Sequence, residues 1–210
     1  MKLYTHPGAS SLSVHILLRE TGLPFELEVV DVTAKRRPDG SDYRSVAPRG
    51  MVPMLELDGG VRLTENIVIQ QYICDTANRF DLMPASHTIA RYRVMEWQSF
   101  VAAELHKSFI PLSWDINHNM RKLVVNRIVN RLGFVEGQMS GTYLTGDTFT
   151  AADAYCFVIA SWTKRYGIDI SHMPRLSTYL RRIAHRASVL TAIGAEGPGL
   201  VSIDQFTPLP

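Results

Sequence analysis

The chain has 210 residues, of which 46% are apolar and 20% charged, a composition that fits one large or two small globular domains with a substantial core. Its net charge of +2 gives no argument for a nucleic-acid partner or a membrane surface, and no run approaches the ~18 consecutive apolar residues of a membrane span. Cys74 and Cys156 sit in apolar helical patterns, with no CxxC and no Cys/His spacing suited to zinc, so no metal site is expected and both read as buried thiols of a reducing, cytoplasmic compartment.

The stretch Met1–Glu20, MKLYTHPGASSLSVHILLRE, lacks an apolar leader, opens as a strand and turns at Pro7–Gly8. Val14, Leu17, Leu18 and Thr21 then fall on one helical face, with His15, Arg19 and Glu20 off it, and Gly22 and Pro24 stop the helix. Ser10 or Ser11 serves as its N-cap. Such a start is either an ordinary capped helix or, because it carries free N–H groups and partial positive charge, a place for an anion or thiolate. Phe25, Leu27 and Val29 alternate with Glu26 and Glu28, which predicts a second strand. A polar loop comes next, containing Lys35–Arg36–Arg37. Beyond it, MLELDGGVRL reads as a β-hairpin about Asp58–Gly59–Gly60, and Thr64 is expected to cap a helix carrying Ile67, Ile69, Tyr72 and Ile73. The order is β-α-β-(α)-β-β-α.

After Asp81–Leu82–Met83–Pro84 only helices are predicted. One runs from about Ile89 to Phe109, and a second carries Val125, Ile128, Leu132, Val135 and Met139. A third begins at FTAADAY, where Thr150 and Asp153 form a capping box. A fourth starts at Pro174 and reaches about Arg186. The expected division is an α/β domain over 1–80 and an all-α domain over 87–210.

Four segments in the right order resemble cytosolic glutathione transferases, across nearly the whole chain. The opening resembles the bacterial beta class, in which a strand leads through Pro-Gly-Ala-Cys-Ser-Leu into the first helix. APRGMVPMLEL, LTENIVIQQYI and GDTFTAADAY resemble the family's cis-proline, γ-glutamyl and helix-capping segments. The resemblance implies a thioredoxin-like first domain, a helical second domain, a homodimer, glutathione as co-substrate and no metal. It implies glutathione binding by Met51–Val52–Pro53, whose turn exposes backbone groups for strand-like pairing, by Glu65 and Asn66 at a helix start, and by Lys35.

Beta-class enzymes usually carry cysteine where this chain has Ser10. A serine forms no mixed disulfide but can donate a hydrogen bond to a thiolate, so Ser10 comes first as the catalytic hydroxyl, ahead of Ser11 and Tyr4. Ser99, Ala103, His106, Lys107 and Ile110 share one helical face, and His106–Lys107 resembles the class pair beside the sulfur. Lys107 and Ile110, with Trp114, Arg165 and Tyr166, are the candidates for the second-substrate pocket. The expected activity is conjugation of the glutathione thiolate to small, largely apolar electrophiles. The alternatives are a glutathione-dependent disulfide reductase or peroxidase, and a non-catalytic glutathione-binding relative.

Overall fold

Period-two alternation decides the sheet. Leu3 on β1 (Lys2–Thr5) pairs with Leu27 on β2 (Glu26–Val29) in parallel and with Leu55 on β3 (Met54–Glu56) antiparallel. Leu55 faces Leu63 on β4 (Arg62–Thr64), which closes a sheet of order β2-β1-β3-β4. Leu3 and Leu55 join the main core, whereas Tyr4 and Met54 point the other way and pack with Val30, Tyr43 and Val46. The computed structural model describes residues 1–197 and 201, so the end of the expected helical half, up to residue 210, lies outside the described residues.

The first half has the expected thioredoxin-like order, with three differences. The bracketed second helix is a single 3-10 turn, Tyr43–Ser45, started by Asp42, whose carboxylate accepts from Arg44 N–H. Thr64 ends β4 instead of capping a helix. The cap of α2 (Asn66–Thr76) is Glu65, which makes no side-chain cap bond and holds a left-handed φ of 70°. In α1 (Ser11–Thr21) every residue from Ser11 to Leu18 is buried, not one stripe. The helix is covered by α2 on one side and by two helices of the second half, Ala151–Tyr166 and Ala187–Glu196, on the other, so His15 is buried too.

The second half is helical, as expected. The helix predicted over Ile89–Phe109 is broken in register. α3 (Ile89–Phe100) passes into a π turn, Val101–His106, then α4 (Lys107–Phe109) and a 3-10 turn, Ile110–Ser113. The wider π turn rotates the residues beyond it about the helix axis, so the face drawn through Ser99, Ala103, His106, Lys107 and Ile110 does not survive. α5 (His118–Gln138) buries Ile128, Leu132 and Val135 as its spacing predicts. α6 (Ala151–Tyr166) is buried on all sides from Ala151 to Thr163 and forms the spine of this half. Its first turn holds Asp153, whose carboxylate accepts from Leu144 N, Thr150 N, Thr150 Oγ1 and Tyr179 OH at 2.7–3.1 Å. α7 (Pro174–Ala184) starts at proline, and its first N–H groups, Arg175 N and Leu176 N, donate to the Glu136 carboxylate.

α8 (Ala187–Glu196) is not anticipated from the sequence. It packs on α1 and ends in a buried carboxylate. Glu196 accepts from Gly8 N (3.0 Å), from the Thr5 hydroxyl (2.8 Å) and from His15 Nδ1 (3.0 Å), while Arg19 Nε donates to His15 Nε2. Removing this carboxylate leaves a set of buried donors without an acceptor. Glu196→Ala is therefore expected to lower stability by roughly 3–5 kcal/mol. A urea titration should show a lower midpoint at unchanged slope; a midpoint equal to wild type would contradict the anchoring role.

Candidate active site

The turn that carries Ser10 is held on both sides. Gly8 takes a left-handed φ of 67°, donates its N–H to Glu196 and accepts at its carbonyl from Trp162 Nε1 at 2.9 Å. Ala9 N–H donates back to His6 O. Ser10 then occupies the N-cap of α1 in helical backbone geometry, so its side chain makes no cap bond. It is 6% exposed and its hydroxyl has no hydrogen-bond partner among the described residues. Ser11, one residue on, is fully buried. Its hydroxyl lies 2.9 Å from Thr5 Oγ1 and accepts from His6 N–H, which fixes the turn and leaves nothing for a ligand. Tyr4 is buried under the sheet beside Tyr43, its hydroxyl 3.4 Å from Glu56 Oε2, and burial pushes its pKa up.

Ser10 opens on a cleft of about 440 Å³ between the two halves. One wall is the segment Ala47–Pro53. The Val52–Pro53 peptide is cis, and Val52 N–H and C=O have no partner among the described residues. Met51 is held through its carbonyl, which accepts from Tyr43 OH. Lys35 stands behind this wall and donates to Gly50 O at 2.8 Å, with Nζ 4.0 Å from Met51 Sδ; it does not line the cleft. Gly50 holds a left-handed φ of 58° there, and a Cβ would meet Lys35 Cδ at 2.8 Å.

The start of α2 forms the floor. Glu65 is exposed and hydrogen-bonded to Arg49 Nη1, a cleft residue that the sequence did not single out. Asn66 turns its amide inward: Nδ2 donates to Ser10 O at 2.9 Å, and Oδ1 accepts from Gln70 Nε2 at 3.0 Å. Gln70 Oε1 accepts in turn from Gln98 Nε2 on α3 at 2.7 Å. This chain of amides crosses from one half to the other, and at its far end the buried Gln98 Oε1 has no partner among the described residues. The Asn66 side chain is thus structural, and only its backbone is available at the helix start.

The π turn supplies the opposite wall through Ala102 and His106, with Lys107 next to it. His106 Nδ1 lies 2.8 Å from Tyr155 OH, and its ring sits edge-on to Trp162 at 5.1 Å. Burial, reinforced by the Lys107 charge, pushes the imidazole down to about 4, so it is neutral at neutral pH. Burial raises the Tyr155 phenol. Neither Tyr155 nor Trp162 was found from the sequence. Both lie in α6, where continuous burial erases any periodic signal, although Tyr155 stands within the FTAADAY segment. The other second-substrate candidates lie away from the cleft lining. Trp114 is 62% exposed, Arg165 faces outward, Ile110 is in the 3-10 turn, and Tyr166 packs on Phe109. Among the described residues no group of His, Cys, Asp or Glu is placed to hold a metal ion, and no helix is long and apolar enough to cross a membrane.

Residues 1–75 match the family profile "Glutathione S-transferase, N-terminal domain" and residues 100–187 match "Glutathione S-transferase, C-terminal domain". The chain is 38% identical to glutathione S-transferase GstA of Escherichia coli O157:H7, over 94% of this chain and 99% of that one. Among solved structures it resembles a bacterial beta-class glutathione S-transferase of Sphingomonas chungbukensis (TM-score 0.88, 41% identity, 94% of this chain and 99% of that one). It also resembles a sphingomonad glutathione S-transferase complexed with glutathione (TM-score 0.90, 38% identity, 95% and 100%).

The neutrality of His106 has a stability consequence. Its folded pKa is depressed from 6.5 to about 4, so the unfolded chain binds the extra proton first as pH falls. The stability it contributes is complete above about 6.5 and is lost as pH falls towards about 4, at no more than about 1.4 kcal/mol per pH unit. His106→Gln should lack this portion of the slope. Denaturant titrations from pH 7 to pH 4 should show the difference between wild type and variant shrinking steadily; a constant difference would mean that His106 titrates normally.

Proposed function

We propose, for a chain that belongs to the glutathione S-transferase family, that the cleft binds glutathione and conjugates its thiolate to small, largely apolar electrophiles. The observation that carries this reading is the Ser10 hydroxyl at the start of α1, in the same cleft as the backbone N–H and C=O of Val52, all without partners among the described residues. Val52 N–H and C=O suit the cysteinyl backbone of the tripeptide as an added strand would. The Glu65 carboxylate suits its ammonium, which would replace Arg49 as partner, and the first-turn N–H groups of α2 suit the γ-glutamyl carboxylate. Lys35, behind Met51, is proposed to reach round to the glycyl carboxylate.

With glutathione so placed, its sulfur comes to Ser10. Lowering a thiol from about 8.5 to about 6.5 takes ~2.7 kcal/mol of preferential thiolate stabilisation. One charge-assisted hydrogen bond contributes ~1.5–3 kcal/mol, and the helix start a further ~0.3–1 kcal/mol. The two together are sufficient. The thiolate then attacks the electrophilic carbon, a C–S bond forms, and with an aryl halide the halide departs with its bonding pair. Met51 and Ala102 make the apolar side that receives this substrate, with His106 and Lys107 at its edge. Ser11 and Tyr4, committed elsewhere, have no direct part in this reading.

The molecule is further proposed to work as a cytoplasmic homodimer, its two cysteines buried as free thiols. The exposed Val68 of α2, and Ile89 and Tyr92 of α3, fit coverage by a second copy. Sedimentation at micromolar concentration should then give twice the 23.6 kDa chain mass; a 23.6 kDa species alone would contradict the dimer.

The conjugation reading is tested by the thiolate absorbance of bound glutathione as pH is varied. The bound thiol should titrate at least one unit below the free one, and Ser10→Ala should abolish most of that shift. The same variant should lose roughly 10- to 150-fold in turnover of an aryl halide, the loss of one charge-assisted bond of ~1.5–3 kcal/mol. Ser11→Ala should show instead a stability loss of ~1–3 kcal/mol, from the His6 N–H left without its acceptor. An unshifted bound thiol would sink the conjugation reading.

A further inference from the structure

Four polar side chains fill the space between α1, α2 and α3. Asn66 Nδ2 donates to the Ser10 carbonyl at 2.9 Å, and Gln70 Nε2 donates to Asn66 Oδ1 at 3.0 Å and to Ser13 Oγ at 2.9 Å. Gln98 Nε2 donates to Gln70 Oε1 at 2.7 Å. Ser13, Gln70 and Gln98 are fully buried and Asn66 nearly so. A backbone carbonyl can only accept, so each amide must present its NH₂ toward Ser10 and its oxygen to the next. A series built outward from an acceptor ends in an acceptor, and that end is Gln98 Oε1, without a partner among the described residues. The Ser10 carbonyl does not need the series for its own satisfaction. Ser13 Oγ lies 2.7 Å from it, and Ser13 N–H also donates to it. Apolar side chains of the same shape would leave no buried oxygen orphaned, so stability does not account for the three amides. What they supply is position. Asn66 is the first residue of α2, and Gln98 lies on α3 just before the π turn that carries His106.

On the thiolate reading of the cleft, we propose that Asn66, Gln70 and Gln98 are positioning residues that hold the Ser10 hydroxyl at a fixed spacing from the first N–H groups of α2. The sulfur and the γ-glutamyl carboxylate belong to one tripeptide, so a single bound molecule fills both seats only at one spacing. Pinning the Ser10 carbonyl fixes the rotation of its peptide plane, and with it the Cα from which the hydroxyl projects. A hydroxyl displaced by about 1 Å leaves the tripeptide bound through its other contacts but loses much of its hold on the thiolate. None of the three amides has to touch the sulfur.

The decisive variant is Gln70→Met with Gln98→Leu, which keeps the volume and removes the orphaned oxygen together with the acceptor it is tied to. Asn66 Oδ1 keeps Ser13 Oγ, 2.8 Å away, as a donor. The urea midpoint should equal or exceed that of wild type. Aryl halide kcat should nevertheless fall about tenfold, with the glutathione KM held within about twofold and the bound thiol titrating about half a unit higher or more. In a Ser10→Ala background the same two changes should leave the thiol where Ser10→Ala alone puts it, because they act through Ser10. An equal rise of the thiol pKa in both backgrounds overturns the proposal. So does a thiol that the double variant leaves unmoved, and a lower midpoint beside it would mark the amides as ordinary packing. Should the double variant fail to fold, Gln98→Leu alone decides, and an unmoved thiol there overturns the proposal. An unshifted bound thiol in the wild-type protein overturns the thiolate reading and the positioning role together; a shifted thiol that ignores the amides overturns the positioning role alone.

Discussion

A single carboxylate ties the two halves of this molecule to one turn of chain. Glu196 comes from the end of α8, almost two hundred residues downstream of the groups it accepts from, Thr5, Gly8 and His15. A buried carboxylate is tolerable only when fully hydrogen-bonded, so its three partners are held together by the same requirement that keeps Glu196 in place. Trp162 grips the other side of Gly8 from α6. The position of Ser10 therefore depends on helices of the second half, although every element it belongs to lies in the first.

That dependence explains what the sequence could reveal. α5 has one covered face, and its period shows it, whereas β1 and β3 are covered on both, by the main core at Leu3 and Leu55 and by the smaller cluster at Tyr4 and Met54. α1 has two covered faces, so a single-stripe reading of Val14, Leu17 and Leu18 is too narrow and places His15 outside. α8 buries Val189, Ala192 and Glu196, a set broken by an internal Gly194 and closed by an acid, which no apolar template matches. The π turn over Val101–His106, which packs against α6 and α5, leaves no mark on composition.

The candidate site divides in the same way. The residues of Met51–Pro53 and Glu65–Asn66 stand together in the chain and could be read from short segments. Arg49 sits inside such a segment but reads as an ordinary loop charge until its pairing with Glu65 is seen. The hydroxyls illustrate the limit best. Ser10 and Ser11 are adjacent and chemically identical, and only the direction in which each points separates an open donor from a buried strut. Tyr155 and Trp162 come from a helix apolar on every side, where nothing in the pattern distinguishes a cleft-lining ring from a packing one.

The amide chain from Gln98 through Gln70 and Asn66 has a direction. Each NH₂ donates toward Ser10, and the last donates to its carbonyl. Side-chain amides aligned head to tail polarise one another, so the chain is a short wire of dipoles laid across the interior. Its negative pole is the buried Gln98 Oε1, without a partner among the described residues, and its positive end meets the Ser10 carbonyl. The start of α1 has the same polarity. Dipoles of this kind are neutral and buried, so high salt would screen their field far less than it would that of a surface lysine.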